Sequence, residues 1–227
     1  MLEFIAVSKQ FPDGQVALDD INLKIEGSDF VFITGPSGAG KSTLLRLITK
    51  ELVSTSGQVL FNEDDIAKIP ENKLHILRRR IGTVFQDFKL LLSRTVFENV
   101  ALSLEVLKKS DSEIEKEVSE ALEKVGILEK ADYFPAQLSG GEVQRTAIAR
   151  AIVSKPEVLL ADEPTGDLDP KTAEQVVELL EKINKEGTTI LMATHNAAIV
   201  NKFKKRVVHL KKGKIEKDQK EGKYEPD

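Results

Sequence analysis

The chain has 227 residues, of which 41% are hydrophobic and 31% charged, with a formal net charge of −4. That length and balance describe a globular chain with room for one α/β domain and an inserted subdomain, and exclude a disordered one. The acidic balance lacks the basic surplus of a nucleic-acid binder. The absence of cysteine excludes disulfides and thiolate metal sites, and no apolar run approaches the ~20 residues that cross a bilayer.

Residues Met1 to Ile5 carry no basic stretch ahead of an apolar one, so no signal peptide is expected, and any membrane role requires a partner. Phe4 to Ile25 alternates as antiparallel strands do, with turns at Pro12-Asp13-Gly14 and Gly27. Phe30 to Ile33 reads as a strand buried on both faces, followed by a glycine-rich loop, a helix from Lys41 to about Lys50 and a strand from Gly57 to Phe61. Glu71 to Arg80 reads as helix and Ile81 to Phe85 as strand. A mostly helical insertion covers about 87–155. In it, Ser112 to Val125 has helical spacing, with Ser112 and Glu115 as a capping box and Gly126 as the stop. A second helix runs from about Gly141 and ends before Pro156. Val158 to Ala161 is again a buried strand, Asp169-Pro170 opens a helix that stops at Gly187, and Thr188 to Thr194 is a further buried strand. Arg206 to Ile215 reads as a hairpin turning at Gly213, and the stretch 216–227 as a charged, mobile tail. Buried strands alternating with helices imply a mostly parallel sheet covered on both faces, beside an N-terminal antiparallel β subdomain.

Gly35-Pro36-Ser37-Gly38-Ala39-Gly40-Lys41-Ser42 matches the phosphate-binding loop pattern in full. Glycines let successive backbone N–H groups curl around phosphate oxygens, and the helix that follows points its positive end at the same anion. Lys41 is expected to reach the β- and γ-phosphates of ATP and the Ser42 hydroxyl to ligate Mg²⁺, with Thr43 next on the same turn. A glycine-rich turn that binds nothing is the competing reading, and the loop's place between a buried strand and a helix weighs against it. Val158 to Ala161 delivers Asp162 and Glu163 at a strand's C-terminal end, where ligands bind in open α/β sheets. Asp162 is expected to hold Mg²⁺ and Glu163 to polarise the attacking water. Acidic residues also end strands simply on reaching solvent, and only the phosphate loop upstream favours the functional reading. Leu138-Ser139-Gly140-Gly141-Glu142 heads a helix and forms a second candidate anion site.

These segments, with Gln86, Gly166-Asp167-Leu168-Asp169 and His195, occur in the order found in ABC-transporter nucleotide-binding subunits, and the chain resembles that family over almost its whole length. The resemblance implies a phosphate-loop ABC ATPase domain that hydrolyses Mg-ATP as a head-to-tail homodimer. Ser139, Gly140 and Gly141 of one copy would contact the γ-phosphate held by the other copy, and Asp167 would lie in the loop crossing the interface. It further implies that Gln86 senses Mg²⁺ and water, that His195 contacts the γ-phosphate, and that Phe11, supported by Val16, stacks on adenine. From the residues alone, a core or turn role accounts for Phe11 almost as well. His75 and His209 are expected to be structural, and Arg78-Arg79-Arg80 to be a solvated helix face rather than a phosphate or lipid site.

Within the family, Phe85 to Leu91, Arg94 to Val100, Leu160 to Asp169 and Leu191 to His195 resemble the FtsE-type cell-division branch. Such subunits sit in the cytoplasm on the inner face of the bacterial membrane, paired with an FtsX-type membrane protein that the Gln86 to Val100 region would meet. Lipoprotein-release, macrolide-efflux and amino-acid importer subunits share parts of these segments and remain alternatives. So does a soluble ABC-type ATPase acting on nucleic acid or ribosomes, although the long insertions of that class are absent. Asn196 follows His195 where most relatives have Asp.

Overall fold

The computed structural model describes residues 1–225 and places them on two sheets. In the antiparallel sheet, β1 (Leu2–Gln10) lies between β2 (Val16–Ile25) and β4 (Ser56–Phe61), with the two-residue β5 (Asp64–Asp65) at one edge. The turn before β2 falls where Pro12-Asp13-Gly14 predicts it. Phe11 N–H donates to Gln15 C=O and Gly14 N–H to Phe11 C=O, each at 2.9 Å.

The second sheet comprises β3 (Phe30–Thr34), β6 (Ile81–Val84), β7 (Val158–Asp162), β8 (Thr189–Ala193), β9 (Arg206–Lys211) and β10 (Lys214–Gln219), in the order β10-β9-β3-β8-β7-β6. All neighbours pair in parallel except β10, which returns antiparallel along β9. Strands β3 and β8 are buried at every residue. The period-2 geometry of a strand divides their side chains between two cores. Val31 and Ile33 join α1 (Lys41–Ile48) and the antiparallel sheet, while Phe30 and Phe32 join the helical side of the molecule.

The insertion holds three α-helices: α3 (Val96–Val106), α4 (Asp111–Val125) and α5 (Gly140–Ile152). Sequence periodicity finds the last two and misses α3, because α3 is apolar on most sides. Val96, Val100 and Leu104 are buried in the core while Val106 is exposed, so no single stripe stands out. Its start was nonetheless written in Thr95-x-x-Glu98: Thr95 N–H donates to the Glu98 carboxylate at 2.7 Å and Glu98 N–H to the Thr95 hydroxyl at 3.2 Å. The fully buried Asn99 fixes the segment ahead of it, accepting from Leu91 N–H at 2.8 Å and donating to Arg94 C=O at 3.1 Å.

Several expectations are corrected. Helix α4 is capped by Ser110 and Glu113, not Ser112 and Glu115; Ser110 N–H donates to the Glu113 carboxylate at 3.0 Å, and Ser112 falls inside the first turn. Glu71–Lys73 is a 3-10 turn, and the helix proper, α2, spans Leu74–Arg79. The three-arginine run is not one solvated face. Arg80 pairs with Glu157 at 2.5 Å and stacks over the Phe61 ring, while Arg78 and Arg79 face a groove. The charged residues from Glu216 to Gln219 belong to β10, an edge strand, and Tyr224 beyond it is buried; 226 and 227 lie outside the described residues. Helix α6 (Pro170–Lys185) opens on the Asp169 cap as expected, and α7 (Ala197–Phe203) was not anticipated.

Candidate functional site

Parallel strands end together, so the chain leaving β3, β6, β7 and β8 converges on one edge of the sheet. Strand β3 feeds the glycine-rich loop. Gly40 there has φ of 107°, and a Cβ on it would stand 2.5 Å from Ala17 C=O, so the loop closes against β2 only with glycine at this position. Lys41 heads α1 and is only 8% exposed. Its ammonium donates to Gly35 C=O at 2.8 Å and Pro36 C=O at 3.2 Å and lies 3.6 Å from the Glu163 carboxylate. Each carbonyl is a weaker acceptor than a phosphate oxygen.

Next along α1, Ser42 places its hydroxyl beside the Asp162 carboxyl, and both line one cleft. The Asp162 Oδ1 atom is buried and has no hydrogen-bond partner. Burial pushes the Asp162 carboxyl above its ordinary pKa; the nearby Ser42 hydroxyl opposes the rise and the Glu163 charge adds to it. A buried carboxylate oxygen without a donor is costly, and a cation satisfies it. One carboxylate and one hydroxyl suit Mg²⁺, which takes few protein ligands and completes its shell with water and substrate phosphates. Gln86 and Asp167 line the same cleft of about 630 Å³. So does Arg46, which the sequence reading passed over although it stands one helical turn from Ser42.

Strand β7 ends at Asp162, and Glu163 takes a left-handed φ of 48°, a conformation that costs about 1–3 kcal/mol for a non-glycine residue. The turn aims its carboxylate at the end of β8. Glu163 Oε1 lies 2.9 Å from His195 Nδ1, and Oε2 accepts from His195 N–H at 3.3 Å. The glutamate is nearly buried and the histidine mostly exposed. With Nδ1 held by Glu163, Nε2 is the nitrogen left to face a ligand. Asn196 caps α7 by accepting from Ile199 N–H at 3.1 Å. Asp caps equally well, so the departure from the family pattern leaves this corner's geometry intact.

The second anion site has another character. Ser139 caps α5, and both its N–H and its hydroxyl donate to one Glu142 oxygen at 2.8 Å. The backbone bond first, then the hydroxyl, holds the Glu142 carboxyl below its ordinary pKa. A Cβ on Gly141 would stand 2.7 Å from the Thr172 methyl, so Gly141 lets α5 pack on the start of α6, whereas Ser139 and Gly140 face solvent. None of these three residues lines the strand-end cleft. Phe11, half-buried, and Val16, 52% exposed, flank the β1–β2 turn, and the contact of Gly40 with Ala17 brings β2 beside the phosphate loop.

A groove of about 750 Å³ runs between α2 and α3, lined by Phe85, Leu102 and Val106 and by Arg78, Arg79 and Arg150. Arg150 also donates to Phe88 and Lys89 C=O, both at 2.6 Å, tying the stretch after Gln86 to α5.

Comparison with known proteins agrees with this geometry. The family model described as ABC transporter matches residues 18–166. The chain is 51% identical over 224 residues to the cell division ATP-binding protein FtsE of Bacillus subtilis, covering 99% of this chain and 98% of that protein. It is 49% identical over 225 residues to the protein of the same name from Mycobacterium tuberculosis, with 99% and 98% covered, and 45% identical over 215 residues to that from Escherichia coli, with 95% and 97% covered. Among solved structures, an ATP-binding cassette seen as a dimer in a post-hydrolysis state with ADP and phosphate superposes with a TM-score of 0.88 at 37% identity, covering 99% of this chain and all of the other.

Proposed function

We propose that this chain, which belongs to the ABC transporter family and hydrolyses ATP, is the ATP-driven subunit of a cell-division complex, closing as a homodimer on two nucleotides and passing that closure to a membrane partner. The observation that carries the reading is the meeting, at the ends of β3, β7 and β8, of a nearly buried ammonium on Lys41, an unpartnered Asp162 oxygen and the Glu163–His195 pair.

On this reading the backbone N–H groups of Gly35, Ser37, Gly38, Ala39 and Gly40 and the first turn of α1 through Thr43 receive the phosphates, and Pro36, which has no N–H, shapes the loop. Lys41 exchanges its loop carbonyls for the β- and γ-phosphate oxygens. Ser42, Asp162 and Gln86 hold magnesium, whose chemistry is to neutralise charge on those oxygens. Glu163 takes the proton of the attacking water, and His195, held by Glu163, presents Nε2 to the γ-phosphate. Phe11 and Val16 cover the adenine. The Ser139, Gly140, Gly141 and Asp167 groups of one copy complete the site of the other, so the terminal phosphate joins the copies and hydrolysis releases them. The likeness to a cassette found as a dimer around ADP and phosphate supports this closure.

No helix among the described residues is long and apolar enough to cross a membrane, so attachment to the inner face of the membrane runs through the partner. The groove between α2 and α3 adjoins the Gln86 segment, and its apolar residues and three arginines, against two carboxylates on Glu51 and Glu71, suit an amphipathic helix with acidic residues. The full-length similarity to proteins named FtsE favours an FtsX-type membrane protein over transporter partners.

Glu163→Gln removes the base and keeps the phosphate contacts. Hydrolysis should fall roughly 10²- to 10⁴-fold, with ATP still bound and dimers accumulating in sedimentation at saturating Mg-ATP. Monomers alone under those conditions would overturn the two-copy mechanism.

A further inference from the structure

Beyond β10, residues 222–224 lie back against the molecule. Gly222 and Tyr224 are buried while Glu221, Lys223 and Glu225 are exposed, the alternation of an extended segment lying on a surface. Gly222 N–H donates to Lys205 C=O at 3.2 Å. A Cβ on Gly222 would stand 2.5 Å from that of Val207, so a side chain here would lift the segment off β9. Two residues on, one side chain grips the Tyr224 backbone from both ends. Tyr224 N–H donates to Asn201 Oδ1 at 2.8 Å, and Asn201 Nδ2 donates to Tyr224 C=O at 3.0 Å. The Tyr224 ring lies 5.5 Å from the His209 imidazole.

Both contacts lead to the nucleotide site. Asn201 is on α7, whose cap, Asn196, is the residue after His195. His209 is the β9 partner of Thr34 in the parallel register, with Nδ1 3.1 Å from the Thr34 hydroxyl. Thr34 is fully buried and directly precedes the phosphate loop. The loop's first residue is seated on the same strand, since a Cβ on Gly35 would lie 2.1 Å from Leu210 C=O. One tyrosine therefore touches β9, which pairs with the strand that feeds the phosphate loop, and α7, which begins two residues after His195.

We propose that Tyr224, acting through Asn201 and His209, is a positioning residue for the nucleotide: the 222–224 clasp sets the phosphate loop and His195 at the spacing one triphosphate requires. The proposal rests on the reading that both face the same ATP. Coupling between two sites is reciprocal, so ATP must in turn tighten the clasp.

The chain has two tyrosines and no tryptophan, so Tyr133→Phe leaves Tyr224 as the only tyrosine emitter. In that variant, Mg-ATP should lower the iodide quenching constant of tyrosine emission, saturating at the dissociation constant measured by equilibrium dialysis. Tyr224→Ala and Asn201→Ala should each weaken ATP binding about five- to tenfold. Tyr224→Phe, which keeps the ring and the main-chain bonds, should restore the parental affinity. A quenching constant indifferent to saturating ATP overturns the clasp, and so does parental affinity in both alanine variants or a Phe variant as weak as Ala. The emission measurement uses no clasp variant and decides the matter even if Tyr224→Ala does not fold. A parent protein that fails to bind ATP would instead break the functional reading itself.

Discussion

At the strand ends, Lys41 is nearly buried and turned onto its own loop, and Asp162 keeps a carboxylate oxygen with no donor. At the head of α5, Ser139 spends its N–H and its hydroxyl on Glu142 in the open, and the helix start is complete as local structure. The first region holds an unmet carboxylate oxygen that a cation would satisfy, beside a strained, left-handed Glu163. From Ser139 to Glu142 the second holds neither; farther along α5 the buried side-chain amide of Gln144 has no hydrogen-bond partner. The contrast suits the division of labour proposed above: the strand-end cleft is prepared for nucleotide within one chain, while the Ser139 segment waits, satisfied, for a nucleotide brought by another copy.

The largest expected effect attacks the prepared region. Lys41→Ala should weaken Mg-ATP binding by roughly 30- to 1000-fold, the scale of losing a desolvated charge contact. An unchanged dissociation constant in calorimetry would remove Lys41 from the site. Next comes the other region. Ser139→Ala, placed in the Glu163→Gln background, should leave ATP binding by the monomer near parental and raise the ATP concentration needed for dimers about tenfold or more, the loss of one hydrogen bond to a charged group. Equal weakening of both steps would mean that Ser139 serves its own chain's nucleotide, and the contrast between the regions would collapse.

The smallest effect concerns stability. The Asp162 carboxyl is held above its ordinary pKa, chiefly by burial, so its charged form disfavours the folded state. Asp162→Asn should therefore raise the nucleotide-free melting temperature at neutral pH while abolishing Mg-dependent hydrolysis. The gain belongs to pH values above the raised folded pKa. It should shrink as pH falls through that value and vanish below the ordinary carboxylate range, where the group is protonated folded or unfolded. A gain that persists in acid would show that burial of the charge is not its cause.

Much of this was legible without coordinates. The phosphate loop, the Asp162-Glu163 pair and the buried strands announce themselves because their chemistry fixes residue types at fixed spacings. What escaped did so for physical reasons. Helix α3 hid because it is apolar toward both the core and the groove, which erases the one-sided stripe. The cap of α4 was set two residues late because Ser110 and Ser112 each stand three residues before a glutamate, and only the hydrogen bond chooses between them. His209, read as merely structural, sits against Thr34 across 175 residues of sequence, a contact no local pattern encodes.

The order of glycines, Lys41, Asp162, Glu163 and His195 along the chain determined what chemistry is available, since each group carries its reactivity wherever it is placed. The tertiary structure alone decided which of them meet: parallel pairing brings strand ends from residues 34, 84, 162 and 193 to one edge. It also folded residues 222–224 back onto β9 and α7, because burying one tyrosine between two distant elements depends on their placement in space and leaves no periodicity in the sequence.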